Sequence, residues 1–579
     1  MRLKTDYIVD TIPFPEYPRP QFKRDSFLNL NGLWKFSKAK RDEEVKVLED
    51  EILVPFSPET SNSKVPEGFS LGVDEKLIYE RTLEIGDDML KGVTLLHFGA
   101  VDQEATVYLN DNKVCYHKGG FTPFSVDVTE FIIRGENFLR VECTDVTELS
   151  EGARGKQSSK PGEIWYTPQS GIWQTVWMES APKDYIKGIK ISTDAALKEV
   201  TICSDCTVGQ TITVFDGEEI IFTDKFTDSV TLKYDFELWS PENPKLYDIK
   251  ITAESGDEIS SYFGVRSFGI SKDKTGIARL TLNGKPYFFN GVLDQGYWPD
   301  GLLTPPSDKA ILDELTMLKD MGFNMIRKHI KLEPLRWYYY CDKLGLTVWQ
   351  DFVSGGGEYN WFHIAAFPFL GFKHKDNDYK YFSRTNEAGR KEFIDSVYET
   401  VNTLYNCTSI AAWVPFNEGW GQFDSAKVTA LVKELDSSRI IDSVSGWHDQ
   451  GVGKTELKSL HTYYTKLAVP KDSRPVVLSE FGGYSLKMAG HVFREDKEFG
   501  YKVFKTSKSY VEAVANLYLN KLKPLIKKGL CAAVYTQVSD VEEEINGLIT
   551  YDRKVIKMPI DEMQRINSEI MKEAEKIID

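Results

Sequence analysis

Cysteine is scarce in this chain of 579 residues: there are seven, an odd number, scattered from Cys115 to Cys531. That excludes a disulfide framework, and the one close pair, Cys203 and Cys206, lacks the second pair or histidine cluster that would complete a zinc site. Long hydrophobic runs are missing too. No stretch reaches the roughly 18 apolar residues a membrane helix needs, and the opening MRLKTDYIVDTIPFPEYPRP has no secretory-type apolar core. The expectation is a soluble, cytoplasmic chain, although a removed export signal would leave no trace. Basic residues are outnumbered, 71 Lys and Arg against 87 Asp and Glu, for a formal charge of −16. Such a field repels phosphate backbones and anionic lipid, which argues against nucleic acid and membrane as partners.

Aromatics, by contrast, are abundant. With 28 Tyr, 33 Phe and 12 Trp, and 41% hydrophobic residues, the composition is that of a globular protein and the opposite of a disordered one. At roughly 150 residues per domain the length calls for three or four domains, and the patterns divide into three. Within residues 1–182, short alternating runs such as GLWKF, ATVYLN, FLRVEC and TVWME predict an all-β sandwich. Its hairpin Val107–Val114 turns on Asn-Asp-Asn, residues that tolerate the left-handed backbone of a tight connection. Residues 183–272 hold further short strands (EVTIC, TITVF, VTLKYDF, LYDIKIT) at the spacing of an immunoglobulin-like module.

From residue 273 to 579 the period changes, and apolar strands alternate with amphipathic helices, the mark of repeated βα units. Eight candidate strands fall near Phe289, Asn324, Leu346, Ala411, Ile440, Ser459, Val476 and Cys531, the number that closes a (β/α)8 TIM barrel. Helices are expected at 307–321, 390–404, 425–435, 509–527 and 560–578. In such a barrel reactive groups stand where strands end. Glu418 closes AAWVPFNE and Glu480 closes VVLSE, each just past a buried strand, where a charge is costly unless it faces a polar cleft. These are strands four and seven, nearly opposed, so both side chains can converge over the axis as paired carboxylates. Retaining glycoside hydrolysis needs such a pair about 5 to 5.5 Å apart; the alternative for either glutamate is a solvated rim charge or helix cap.

The runs Trp413-Val-Pro-Phe-Asn-Glu-Gly-Trp420 and Val477-Leu-Ser-Glu-Phe-Gly-Gly483 follow Leu282-Asn-Gly-Lys-Pro-Tyr-Phe-Phe-Asn-Gly291 and Asn324-Met-Ile-Arg327. In that order they resemble glycoside hydrolase family 2, the β-galactosidases, β-glucuronidases and β-mannosidases. The resemblance extends to Gly171-Ile-Trp-Gln-Thr-Val-Trp177 in the sandwich and Leu238-Trp-Ser-Pro-Glu-Asn-Pro-Lys-Leu-Tyr247 in the middle module. It implies a jelly-roll sugar-binding sandwich, an immunoglobulin-like domain and a catalytic barrel. It also implies Glu418 as general acid/base, Glu480 as nucleophile, Asn417 on the hydroxyl beside the anomeric carbon, and Arg327 orienting the nucleophile. A strand-six tyrosine on the nucleophile is Tyr463, as nearer the strand end, or Tyr464. In relatives a sandwich loop reaches the active site; its counterpart is residues 154–169, with Trp165 and Tyr166.

Other residues at strand ends are candidates by position, each with barrel packing as its alternative. His329 and His461 could bind sugar hydroxyls. Trp349 and Asp351 could supply a platform and a hydroxyl acceptor, with Asp294 and Trp298 similar, while Trp420 and the Gly355–Tyr359 loop border the entrance. Relatives end strand eight with a tryptophan that floors the sugar; this chain offers Tyr535 or Gln537 instead. The Asn-x-Lys element by which glucuronidases hold the sugar carboxylate is not apparent after strand eight, which argues against a typical glucuronidase. The expected function is a retaining exo-β-glycosidase acting on a carbohydrate substrate, with β-galactosidase leading as the commonest activity. Alternatives are β-glucuronidase, β-mannosidase or furanosidase specificity, an inverting hydrolase, or a carbohydrate-binding protein without turnover. Double displacement requires no cofactor, although carboxylates at the mouth are donors of the kind that hold a divalent or monovalent cation. Oligomeric state, including a homo-oligomer, is left open by the sequence.

Overall fold

The computed structural model describes residues 3–577. Near the N-terminus two antiparallel sheets face each other. One is six-stranded, built from Asp50–Val54, Gly32–Lys40, Glu75–Ile85, Gly135–Thr144, Glu104–Leu109 and Asn112–Lys118 in spatial order; the other is four-stranded. The alternation seen in the sequence is the reason: Trp34 and Phe36 point inward while Leu33 and Lys35 point out. The inward rows of both sheets meet in one core containing Trp34, Tyr79, Phe98, Val107, Val141 and Met178. The hairpin closes as expected, with Asn110 and Asp111 at φ 51° and 64°.

The middle module packs a three-stranded sheet, Ile189–Asp194, Glu199–Ser204 and Ser229–Lys233, against a four-stranded one through Val200, Ile202, Ile212, Val214 and Ile251. Its junction with the sandwich is ionic and buried. Arg24 donates Nε and Nη2 to Asp257 of the middle module at 3.0 and 2.9 Å, and Nη1 to Glu179 of the sandwich at 3.1 Å.

The eight expected barrel strands form one parallel sheet that curls round in the order five, four, three, two, one, eight, seven, six. They are Phe289–Asp294, Met325–Lys328, Thr347–Asp351, Ile410–Val414, Ile440–Ile441, Lys458–Thr462, Val476–Gly482 and Leu530–Thr536. Inward residues, among them Phe289, Leu293, Met325, Trp349, Ala412, Val414, Val477 and Val534, fill the interior. Among the described residues no backbone ladder joins strands five and six. Strand five breaks after Ile441, Val444–Ser445 pairs instead with Phe416–Asn417, and the seam is bridged by Ser445 Oγ to His461 Nε2 at 2.9 Å.

The helices run Asp308–Asp320, Glu387–Leu404, Ser425–Leu435, Ser507–Asn516 and Ile560–Glu575, with the penultimate one continuing through a wide turn at Leu517–Leu522. Position 578, the expected end of the last helix, lies outside the described residues. A further helix, Leu335–Leu344, escapes the periodicity reading because its run of Trp and Tyr looks like strand; Pro334 before it and Gly345 at φ 69° after it are the start and stop signals that mark it.

Removing Arg24 leaves the buried Asp257 carboxylate without a cation, whereas Glu179 keeps Arg19 at 2.9 Å. Arg24→Met is expected to lower stability by about 3–5 kcal/mol, read as a lower urea-unfolding midpoint; an unchanged midpoint would show that the junction holds by apolar contact alone.

Candidate active site

Arg327, at the inward face of strand two, is fully buried. Nε and Nη2 donate to the two oxygens of Asp351 at 2.9 and 3.0 Å, Nη2 also donates to Asn417 Oδ1 at 2.8 Å, and Nη1 reaches Glu480 Oε1 at 3.2 Å. One planar cation therefore orients two carboxylates and an amide from three other strands. Its grip on Asn417 Oδ1 fixes the amide flip and leaves Nδ2, buried, without a hydrogen-bond partner among the described residues. A buried donor left free in a polar cleft is available to a ligand oxygen.

Glu418 and Glu480 face each other across His461. The imidazole Nδ1 is 2.6 Å from Glu418 Oε1 and 3.5 Å from Glu480 Oε2, and donor atoms of all three residues lie within 4.8 Å of one another. Gly446, at φ 84°, makes room for His461, because a side chain there would collide with the ring. Glu418 itself takes a left-handed backbone, φ 50°, with its N–H donating to Ser445 O at 3.0 Å, a conformation that a non-glycine residue holds at some energetic cost. Glu480 Oε2 accepts the Tyr463 hydroxyl, which also lies 3.1 Å from Thr536 Oγ1. Tyr463 is held by Tyr501, stacked at 3.6 Å between ring centres and 5° between planes.

The two carboxyls are driven apart in acidity. Burial and the charge of Glu480 push Glu418 above the usual carboxylate range, more than His461 and Lys156 pull it down. Burial also raises Glu480, but His461, Arg327 and the Tyr463 hydroxyl are among the groups that outweigh it and hold Glu480 below that range. Paired carboxylates with opposed shifts are poised as one acid and one base.

The chain matches the TIM barrel domain of Glycosyl hydrolases family 2 over residues 275–570, the sugar binding domain over 63–182, and the family's remaining domain over 182–266. It belongs to glycosyl hydrolases family 2. Similar family proteins include the β-glucuronidase of Streptococcus agalactiae, 24% identical over 423 residues, covering 69% of this chain and 68% of that protein. The β-galactosidase of Thermoanaerobacter pseudethanolicus is 25% identical over 368 residues, covering 58% of this chain and 46% of the relative. The chain spans about half the length of several curated relatives it matches. Among solved structures, the β-D-glucuronidase of Dictyoglomus thermophilum superposes with TM-score 0.74 at 18% identity, covering 95% of this chain and 98% of that one. The galacturonate-bound β-galacturonidase of Eisenbergiella tayi does so with TM-score 0.69 at 18% identity, covering 97% and 99%. At such identity these two likenesses speak for the fold.

Within this family 2 cleft several expected residues stand elsewhere, and strand alternation explains most of them. Trp349 faces the interior one layer down, packed near Phe289 at 6.1 Å, so it is no platform at the mouth. Asp351 has both oxygens committed to Arg327 and, through Oδ2, to His329 Nδ1 at 2.8 Å; it supports these residues and is not a free hydroxyl acceptor. Asp294 follows inward Leu293 and therefore turns outward, into a buried cluster with Lys328, which also pairs with Glu333 at 2.7 Å. Trp298 is outside the cleft, under Arg553 at 4.1 Å. Tyr535, between inward Val534 and Thr536, packs outward against Phe481 and Tyr518 and floors nothing. Gln537 is buried and donates to Asn546 Oδ1 at 2.7 Å. Tyr464 is 66% exposed, edge-on to Tyr501 at 5.5 Å, while Tyr463 meets the carboxylate. His461 binds Glu418 and Ser445 directly. His329 is pushed well below the ordinary histidine range by burial and by Lys156, so with Nδ1 donating to Asp351 its Nε2 is a bare acceptor.

The sandwich loop does cross into the cleft. Arg154 donates its N–H to Ser354 O at 3.0 Å, and Nη2 to Gly357 O at 3.2 Å. A side chain at Gly355 would collide with the Gly152 carbonyl, so this glycine serves close backbone approach more than flexibility. Trp165 lies 5.2 Å from Trp420 and 5.8 Å from Tyr359, and Tyr166 donates its hydroxyl to Glu544. Ser445, Tyr501, Thr536 and Glu544 escape the sequence reading, and Lys156 falls in the expected 154–169 loop without being singled out; of the four, only Thr536 carried a signal, as an inward residue at a strand end.

Because part of the upward shift of Glu418 comes from the charge of Glu480, Glu480→Gln is expected to lower the Glu418 pKa. An infrared titration of its protonated carbonyl band measures this, and an unmoved or rising midpoint would mean that the two groups do not sense each other.

Proposed function

We propose that the chain is a retaining exo-β-glycosidase that removes a terminal sugar by double displacement, with Glu480 as nucleophile and Glu418 as general acid/base. The observation that carries this is the pair itself: an oxygen of each carboxyl lies within 4.8 Å of the other, a closeness in keeping with the roughly 5 to 5.5 Å of retaining enzymes and not with the roughly 6.5 to 9.5 Å that an inverting enzyme needs for its water.

Glu480, kept ionised by Arg327, His461 and Tyr463, attacks the anomeric carbon as Glu418 gives its proton to the departing glycosidic oxygen. The new ester bond neutralises Glu480, and the repulsion that held the Glu418 proton in place vanishes with that charge. Glu418, now a stronger acid, is left as the carboxylate that takes a proton from incoming water. The water oxygen bonds to the anomeric carbon, the ester breaks, and Glu480 recovers its charge. The free Asn417 Nδ2 is placed to bond the neighbouring hydroxyl, and the bare His329 Nε2 to accept from another. Neither step calls for a cofactor. β-Galactoside is the leading neutral substrate, on the ground that galactosidases recur among relatives; uronides are the competing class, since glucuronidases and a galacturonidase recur beside them.

Turnover of aryl β-glycosides is expected to fall by about a thousandfold or more in Glu480→Ala and in Glu418→Ala, with azide restoring the first and giving inverted product. Proton NMR of the first-formed anomer should show net retention; inversion would remove the double displacement. Activity should require pH above the lowered pKa of Glu480 and below the raised pKa of Glu418. Tyr463→Phe, which deletes a hydrogen bond to ionised Glu480, should therefore shift the acid limb of kcat/KM upward, and a stationary limb would remove Tyr463 from that role.

A further inference from the structure

Lys156 takes no part in the reaction above, yet its placement calls for an occupant. The side chain is 6% exposed, with Nζ 4.9 Å from the centre of the Trp420 ring and 5.7 Å from that of Tyr166. Among the described residues it has no ion pair and donates no hydrogen bond from Nζ. Burying an ammonium without an anion is costly, and aromatic faces offset only part of that cost. Acidic groups stand on the loop after strand eight, but they are engaged elsewhere. Glu542 accepts Thr167 N–H at 3.0 Å, Glu543 accepts Glu163 N–H at 3.3 Å, and Glu544 accepts the Tyr166 hydroxyl.

The position of this cation within the cleft is also defined. Trp420 lies two residues beyond Glu418, and its neighbours Trp165 and Tyr359 continue an aromatic wall. Lys156 stands over Trp420, just past Glu418 in the chain, and in keeping with that it opposes the burial-driven rise of Glu418, whereas the charge of Arg327 counters burial at Glu480. The ammonium thus stands on the acid/base side of the cleft. That side faces the oxygen that leaves, and so whatever leaves with it.

We propose that Lys156 determines specificity on the leaving-group side, pairing with a carboxylate or sulfate carried by the departing portion of the substrate while Trp165, Trp420 and Tyr359 face its apolar body. This rests on Glu418 being the acid/base. The terminal sugar can then be neutral, and the anion that the cleft lacks is brought by its neighbour.

The test compares kcat/KM for aryl β-glycosides of one sugar whose leaving groups are 4-carboxyphenol, 4-sulfophenol and the neutral 4-carbamoylphenol. The native chain should favour at least one anionic leaving group by about ten- to a hundredfold, the range of a charge-assisted contact, mainly through KM, and the two anionic arms tell carboxylate from sulfate. Lys156→Met should bring that ratio to about one, and Lys156→Arg should keep most of it. An equal ratio in native chain and Lys156→Met overturns the proposal. So does a selective loss in Lys156→Met on a uronide with a neutral leaving group, which would place the anion on the terminal sugar. Failure of the native chain on every glycoside removes the hydrolase reading and this proposal together, whereas turnover without anion preference removes this one alone. Should Lys156→Met not fold, inhibition of the native chain decides: 4-hydroxybenzoate should bind more tightly than 4-hydroxybenzamide, with the difference shrinking as salt rises, and equal inhibition overturns the assignment.

Discussion

The site is organised around a single buried guanidinium. Arg327 has no exposure to water, and its charge is balanced by Asp351 and Glu480 while Asn417 and the Ser479 carbonyl take its other donors. A buried cation of this kind is stable only while its partners are all present, so strands two, three, four and seven are locked into one relative position. Lysine could neutralise one carboxylate but could not hold three groups in a plane. The free amide of Asn417, the ionised state of Glu480 and the separation of the two carboxyls are all consequences of that geometry.

Much of this was legible in the sequence, and the reason is periodicity. A residue that ends an apolar parallel strand has few places to go, so Glu418 and Glu480 could be placed at one mouth from their positions, while Asn417 and Arg327 came from the resemblance to family 2. Direction along a strand was harder. Trp349, Asp294 and Tyr535 also stand at strand ends, but the pleat sends Asp294 and Tyr535 outward and leaves Trp349 inward one layer too deep. Only a fixed register, Leu293 opposite Arg327 opposite Trp349, decides such questions, and register is set by neighbouring strands far away in the chain.

The residues that the sequence hid come from loops. Tyr501 supports Tyr463 from a long connection after strand seven, and Ser445 reaches His461 because strand five breaks early. Neither has a periodic signature. The same holds for Lys156, which belongs to the sandwich by sequence and to the cleft by position. Its loop is drawn over the barrel by backbone hydrogen bonds and by the absence of side chains at Gly152 and Gly355, contacts that composition cannot foretell.

The close passage of Gly152 against Gly355 has a further consequence for how such proteins diversify. The paired carboxylates reside wholly in one module, but part of the wall beyond them, Trp165, is borrowed from another. Exchange of the sandwich would therefore keep both carboxylates while replacing Trp165 and Lys156, so that the surface beside the pair, and with it the setting of Glu418, changes without any change in the barrel.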